Sequence, residues 1–350
     1  MTTASNSEPT RLAATADTCY WGYLDAAQAP VLKVDSGTEL WIEAVTHHSG
    51  DAPDLLMDDG VRAIWDGIPE SARTPGVHIM TGPIAVNGAK PGDTLRVEIL
   101  EMRPRLRYGS NCAANWGLFY DVFGKERVTI YELDQTDGGA FPAFARPIFG
   151  FDFTQRARYD VPGVISPADP ATREPFGRPV SVPVRPHLGV MGVAPAGGER
   201  VSSIPPGVFG GNVDNWRFGP GATIDYPVFH EGALFYVGDP HFAQGDGEIC
   251  GTAIEASLDV RLRLSVVDEP VGAPLLHYGG QTFTHGFGGD LDAAMRMAAE
   301  QMLELLVRRG GYTRDEAYSL ASVAIDLGVT QVVDGTVGCH AAVADAILGA

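Results

Sequence analysis

The sequence predicts a mainly β protein: a β-rich, sandwich-like body with an α+β part, ending in a helical quarter. Three observations carry this expectation. Glycine and proline are abundant, at 43 and 25 of 350 residues, which favours many turns over long helices. Several segments alternate apolar and polar residues with a period of two. Beyond about residue 290 the apolar spacing becomes that of a helix. The expected organisation is an irregular lead-in over 1–30, a β-rich body over 31–270, and a helical or α+β part over 271–350.

The elements follow in order. "VLKVDSGTELWIEAVTHH" has strand composition, broken by the turn "DSG". "HHSGDAPDLLMDDG" reads as a polar, acidic loop. "NGAKPGD" is a turn between apolar runs, and "TLRVEIL" then sets Leu95, Val97 and Ile99 against Arg96 and Glu98, a half-buried strand. Residues 135 to 185 read as long loops and short edge strands. "SLDVRLRLSVVD" is the clearest strand, with Leu258, Val260, Leu262 and Leu264 on one face and Asp259, Arg261 and Arg263 on the other. Leu291, Ala294, Met295, Ala298, Met302, Leu305 and Leu306 share a helical face, with Asp290 as cap and Gly310-Gly311 as stop. "TRDE" is a capping box that opens a second helix through about Leu327, and a last short helix is expected over 340–348.

Bulk properties exclude several functions. A formal charge of −19 argues against nucleic acid and anionic membrane as partners, since both require clustered positive charge. Only Lys33, Lys90 and Lys125 are available to a lysine-dependent mechanism. No apolar stretch reaches the roughly 18 residues of a membrane span, and the first residues do not read as a secretory signal. Cys19, Cys112, Cys250 and Cys339 stand far apart with no CxxC pair, as expected of reduced thiols in a cytoplasmic protein.

Chemistry concentrates in "YVGDPHFAQGDGEICGTAIEASLDV". If this is a strand running into a loop, Asp239 and His241 project from one face, and Asp246 and Glu248 repeat the relation. Gly245 and Gly247 would let the backbone bend around a small ligand. A carboxylate and an imidazole together suit a divalent ion, and a further carboxylate suits a general base. A solvated acidic turn is the competing reading. A second cluster holds His47, His48 and Asp51; in an extended chain the two histidines face opposite ways, so one ion would meet one of them with Asp51, or the segment is a surface loop. "GGNVDNW" offers Asn212, Asp214 and Asn215 for a polar substrate, or for an Asx turn. The remaining histidines, His78, His187, His230, His277, His285 and His340, stand singly and read as packed or surface groups. Neither HExxH, a GxSxG elbow nor a P-loop occurs.

Four ordered segments resemble the acetamidase/formamidase family: "TGPIAVNGAKPGDTLRVEI", "PHLGVMGVAPA", "GGNVDNWRFGPGATIDYPVFHEGALFYVGDPHFAQGDGEICGTAIE" and "AYSLASVAIDLGVTQVVDGTVGCHA". The resemblance covers about residues 30 to 345. It implies hydrolysis of a small carboxamide to carboxylate and ammonia, with relatives acting on γ-lactams. It also implies a β-rich fold with a smaller α/β part, a homo-oligomer, and Zn²⁺ or Ca²⁺ as cofactor. Matched residue by residue, its motifs fall on Asp239, His241, Glu248 and Asp214, with an acidic pair at Asp51-Ala52. Phe209 stands where relatives commonly carry a histidine.

The resulting assignment has Glu248, Asp214 and Asp246 as catalytic groups, Asn212, Gln244 and Trp116 at the substrate, and Asp51, Asp239 and His241 at a divalent metal. Zinc is preferred and calcium is the alternative. The chemistry supports it, because an unreactive amide needs a polarised carbonyl, an activated water and a proton for its leaving nitrogen. Two alternatives remain: a γ-lactamase or bulkier-amide hydrolase on the same fold, with the aromatic stretch 116 to 120 lining a larger pocket, and a non-catalytic binding protein stabilised by a metal.

Overall fold

The strand with the cleanest alternation, Leu258–Val267, lies within a nine-stranded sheet of the computed structural model, which describes residues 9–113, 116–123, 126–136, 140–152 and 173–349. Leu258, Val260, Leu262 and Leu264 are fully buried, as the period-two pattern predicts. This strand pairs antiparallel with Thr38–Ala44 on one side and Thr94–Pro104 on the other. The sheet continues through Thr223–Pro227, Leu275–Tyr278, Gln281–Gly288 and Val337–Ala344 to Ile325–Gln331, so one set of hydrogen-bonded strands runs from the body into the C-terminal part.

A six-stranded sheet faces it, ordered Gly210–Asn212, His187–Val193, Phe235–His241, Ile79–Asn87 and Cys19–Trp21, with Leu32–Asp35 parallel to Ile79–Asn87. Leu40, Ile42, Val97 and Leu262 of the first sheet share one core with Ile84, Leu188, Met191 and Phe235 of the second, which is the sandwich the composition predicts. Burying each such side chain contributes about 1.5–3 kcal/mol. A five-stranded sheet is built on Phe144–Asp152, Arg127–Leu133 and Tyr108–Ala113. Single bridges from Glu255 to Ser110 and to His241 join it to the six-stranded sheet. That seam holds the site described below.

The lead-in carries structure: Thr10–Leu12 runs parallel to Thr38–Ala44, and Cys19–Trp21 pairs with Ile79–Asn87. The middle contributes Phe144–Asp152 and the short strands Glu174–Pro175 and Val182–Pro183, while residues 153–172 lie outside the described ones. The acidic segment after residue 46 is ordered. Asp58 caps the helix Asp59–Gly67, its Oδ1 accepting from the Val61 N–H at 2.8 Å, and Val61, Ile64 and Trp65 are buried.

The helix Leu291–Gly310 begins at Asp290, whose side chain accepts from the Ala293 N–H, and ends at Gly311 in the left-handed region. Ala298, Met302, Leu305 and Leu306 pack on Leu275, Ala341 and Val343. Glycine at 286 permits this contact, since a Cβ there would lie 2.1 Å from the Ala294 carbonyl oxygen. The Thr313–Glu316 capping box is present, but its helix ends at Ala324, and Ile325–Gln331 is a strand. The expected helix over 340–348 is likewise mostly the strand Val337–Ala344, followed by a short 3-10 turn, Asp345–Leu348. Alanine favours helix there, yet pairing on both edges, with Gln281–Gly288 and Ile325–Gln331, outweighs a local preference of a few tenths of a kcal/mol per residue. Among the described residues no helix is long and apolar enough to cross a membrane.

Candidate active site

His241 ends the strand Phe235–His241 and Asp239 lies two residues before it, both buried. His241 Nε2 is 3.1 Å from Asp239 Oδ2 and 3.2 Å from Glu255 Oε2. His241 Nδ1 faces His187 Nε2 at 3.1 Å. His187 Nδ1 lies 2.7 Å from the Arg185 carbonyl, an acceptor only, so that nitrogen carries a proton. A neutral His187 then accepts at Nε2 from His241 Nδ1–H. Burial opposes charge on His241, but Glu255 and Asp239 hold it well above the usual imidazole range. In the metal-free site Nε2 therefore carries a proton between the two carboxylates, which a cation would displace. Gln244 Oε1, also an acceptor, is 2.9 Å from the same His187 Nε2, so one proton serves one of these contacts at a time.

Among the described residues, five non-glycine residues have left-handed backbone, and three of them are Asp214, Asp239 and Glu248, with φ of 50°, 50° and 47°. Such conformations cost on the order of 1 kcal/mol or more each and cluster where a side chain must be aimed against the run of the chain. Here they turn three carboxyls toward one point. Gly189 makes room for them: a Cβ there would lie 2.4 Å from Asp239 Oδ2 and 2.5 Å from Asp214 Oδ1.

The adjacent histidines do not diverge as an extended chain would require. His47–Asp51 is a 3-10 turn, and the rings of His47 and His48 stand 4.3 Å apart on the same cavity. His47 Nδ1 is 3.8 Å from Asp239 Oδ1, and His78 Nε2 is 3.7 Å from Asp239 Oδ2. Asp51 stands behind His48. Its Oδ2 accepts from His48 Nδ1 at 2.9 Å and from the Ser110 hydroxyl, and it joins none of the converging ligand groups. The structure thus places Asp51 as a support of an imidazole rather than beside Asp239 and His241.

Asp214, Glu248, Asn212 and Asp334 line the same cavity, of about 200 Å³, with Asp214 Oδ1 3.9 Å from His241 Nδ1. Asn212 Nδ2 donates to Asp334 Oδ2 at 3.1 Å. Trp116 lines the same cavity and donates through Nε1 to the Gly251 carbonyl at 3.1 Å. Gln244 is buried one layer back, where its Nε2 donates to the Asp214 carbonyl at 2.8 Å. Asp246 is not in the site. The chain turns at Gly247, with φ of 98°, so the period-two relation between Asp246 and Glu248 fails. Asp246 is half exposed and accepts from Trp216 Nε1 at 2.8 Å, while Glu248 is buried.

Sequence reading alone passed over His78 and Asp334 as members of the site, weighed His47 only as one of two histidines that an ion could meet with Asp51, and gave Glu255 no role. The "DG" turn signal at Asp334-Gly335 and the position of His78 just ahead of "TGPI" were available, but neither shows what it meets in space.

Burial sets the protonation of both sides. Burial pushes His47 and His78 down, against the pull of Asp239, so both imidazoles are neutral. Burial also opposes charge on Asp239, but the protonated His241 beside it holds it well below the usual carboxylate range. Burial and neighbouring Asp239 push Asp214 up to about 8. Burial and Asp214 likewise push Glu248 and Asp334 well above their ordinary values.

Among the described residues, His47 Nδ1, Asp214 Oδ1, Asp239 Oδ1, His241 Nε2 and Glu255 Oε2 are buried without an aligned hydrogen-bond partner. They fall in three overlapping groups, His47–His78–Asp239, Asp239–His241–Glu255 and Asp214–His241–Glu248, whose ligand atoms lie within 4.8 Å of one another. Buried polar atoms left unpaired cost about 1–3 kcal/mol each, so a convergent set fits a cation that would satisfy them.

The acetamidase/formamidase family model matches residues 29–346. The chain is 29% identical over 308 residues to an acetamidase of Mycolicibacterium smegmatis, covering 69% of this chain and 71% of that one. It is 27% identical over 316 residues to a formamidase of Methylophilus methylotrophus, covering 74% of each. Its fold matches the crystal structure of an acetamidase from Bacillus halodurans with a TM-score of 0.73 at 26% identity, over 95% of this chain and 97% of that one. A gamma lactamase from Delftia acidovorans shares the fold with a TM-score of 0.55 at 21% identity, over 95% and 90%. With a match from residue 29 to residue 346, the chain belongs to the acetamidase/formamidase family.

Proposed function

We propose that this chain hydrolyses the C–N bond of a small carboxamide, giving carboxylate and ammonia, at the cavity between the imidazole and carboxyl walls. The observation that supports it most is the convergence of unpaired buried imidazole and carboxylate atoms on one cavity, in a chain of this family. A divalent cation fits His241, Asp239 and Glu255, with His47 and His78 beside Asp239. The mixed nitrogen and oxygen donor set favours zinc, since calcium prefers oxygen alone. Such an ion supplies a polarised carbonyl and a water of lowered pKa.

The chain's own residues do the rest. Asp239 and His241 hold the Lewis-basic side, with His187 fixing the ring of His241. Glu248, buried and holding its proton in the metal-free site, would ionise beside the bound cation, take a proton from the attacking water and return it to the nitrogen as the C–N bond breaks. Asp214 holds a second proton beside it, and Asn212 contacts the amide. Glu248→Gln is expected to lower turnover by about 10²–10⁴ while leaving metal content unchanged. Retention of most of the rate in a folded, metal-loaded variant would remove Glu248 from this role.

A second reading, a bulkier amide or a lactam, draws on the apolar faces of Val77, Ile204, Trp116 and Val333 at the same cavity. Comparing ammonia release from acetamide, an aromatic amide and ring opening of a γ-lactam separates the two. The exposed side chains of Leu118, Phe119, Tyr120, Val122 and Phe123 support a homo-oligomer. Cys19, Cys250 and Cys339, none of them in a disulfide, support a reducing, cytoplasmic setting.

A further inference from the structure

Asp334 reaches the cavity from the C-terminal part of the chain, on a turn that is built to carry it. Gln331 Oε1 accepts from the backbone N–H of Val333 at 2.8 Å and of Asp334 at 3.1 Å, and Gln331 Nε2 donates to the Thr336 carbonyl at 2.7 Å. The same turn is tied to the loop that presents Glu248. The Gly247 N–H donates to the Thr330 carbonyl at 2.9 Å, and the Val332 N–H donates to the Gly247 carbonyl at 3.1 Å. Asp334 is therefore held in register with Glu248.

Asp334 touches two side chains of the cavity: it shares a hydrogen bond with Asp214, and it meets Asn212. Asp334 keeps its proton and gives it to Asp214, so the oxygen it turns to Asn212 is an acceptor, and an acceptor can pair only with the NH₂ end of an asparagine side chain. The 3.1 Å contact from Asn212 Nδ2 to Asp334 Oδ2 thus settles which way the Asn212 amide is turned. Its other end, Oδ1, is a buried acceptor without a hydrogen-bond partner among the described residues, on a side chain 2% exposed that lines the cavity.

We propose that Asp334 is a positioning residue that fixes Asn212 as a hydrogen-bond acceptor for the substrate's amide N–H, and so selects primary carboxamides over N-substituted ones. The inference rests on the amide-hydrolase reading and names the substrate class within it. A primary amide carries two N–H groups, and its nitrogen leaves as ammonia, so an acceptor at that end is satisfied through the whole reaction. An N-alkyl amide keeps one N–H and carries carbon in place of the other, so an acceptor set for that second N–H, as Asn212 Oδ1 is here inferred to be, stays buried and unpaired. Discrimination of about tenfold or more follows from that mismatch.

The test compares wild type, Asp334→Ala and Asp334→Asn on acetamide and N-methylacetamide, with acetate release read as kcat and KM separately. Wild type is expected to prefer acetamide. In Asp334→Ala the Asn212 amide is free to flip, so KM for acetamide should rise about tenfold with a smaller change in kcat, narrowing the preference. Asp334→Asn keeps an oxygen able to accept from Asn212 Nδ2 and should recover part of the loss. Unchanged selectivity in both variants, at wild-type melting temperature, would overturn the assignment. So would an equal fall in kcat on both substrates without a KM change, which marks a purely structural role. Absence of acetate release by wild type from any amide would instead overturn the hydrolase reading itself.

Discussion

The two walls of the cavity are both buried, and burial acts on them in opposite senses. On the imidazole wall it removes protons: His47 and His78 are pushed down and stay neutral, with lone pairs available, around an ionised Asp239. On the carboxyl wall it retains them: Asp214 rises to about 8, and Glu248 and Asp334 are held well above their ordinary values. One cavity therefore offers ligands for a cation on one side and carboxyls that exchange protons on the other. The walls are also braced differently. Imidazoles are backed by side chains, Asp51 behind His48, Ser203 behind His78 at 3.0 Å and His187 behind His241. Asp214 and Glu248 are instead aimed by left-handed backbone, and Asp334 by a turn that Gln331 closes.

This contrast can be broken most severely at His241, which contacts both Asp239 and Glu255. His241→Ala is expected to lower kcat/KM by about 10³ or more and to lower metal content, measured by elemental analysis of the purified variant. Near-normal metal content would separate His241 from the ion. Gly189→Ala presses a methyl group on both walls at once and is expected to cost about 1–3 kcal/mol in urea melts, with activity lost in parallel. A variant of full stability and full activity would mean that the two carboxylates are not held as close as 2.4 and 2.5 Å imply. His187→Gln removes the ring behind His241 and leaves the walls in place; a loss of about 10–100-fold in metal affinity is expected by competition with a chromophoric chelator.

The smallest effect is one of pH. A carboxyl raised from 3.8 to about 8 binds its proton more tightly folded than unfolded, so its contribution to stability is complete below about pH 4 and is lost as pH rises toward 8. In metal-free protein this contribution lowers the melting temperature between pH 5 and pH 8. Asp214→Asn should flatten that slope, and an unchanged slope would show that Asp214 is not held protonated.

Much of the fold is legible in the sequence where one face of an element is wet and the other dry. Leu258 to Leu264 and Leu95 to Ile99 alternate for that reason, and the helix from Leu291 carries its own caps at Asp290 and Gly311. Ile325–Gln331 and Val337–Ala344 are illegible because their strand form depends on partners in the sheet, while "CHAAVADAIL" taken alone favours helix. The site divides in the same way. Asp239, His241, Glu248, Asp214 and Asn212 lie in motifs that can be read along the chain. His47, His78, Glu255 and Asp334 join them only through a 3-10 turn, a seam between sheets and a turn closed by Gln331. Asp246 illustrates the opposite error, strand alternation extended into a loop that Gly247 had already turned.

The central claim is that the imidazole wall holds a catalytic cation and the carboxyl wall moves the protons. It is tested most directly by ammonia release from short and aromatic amides, measured on the protein as purified, after chelation with metal content determined, and after adding Zn²⁺. The account predicts release that falls with the metal and returns with zinc. Undiminished release from protein shown to be free of metal would contradict it.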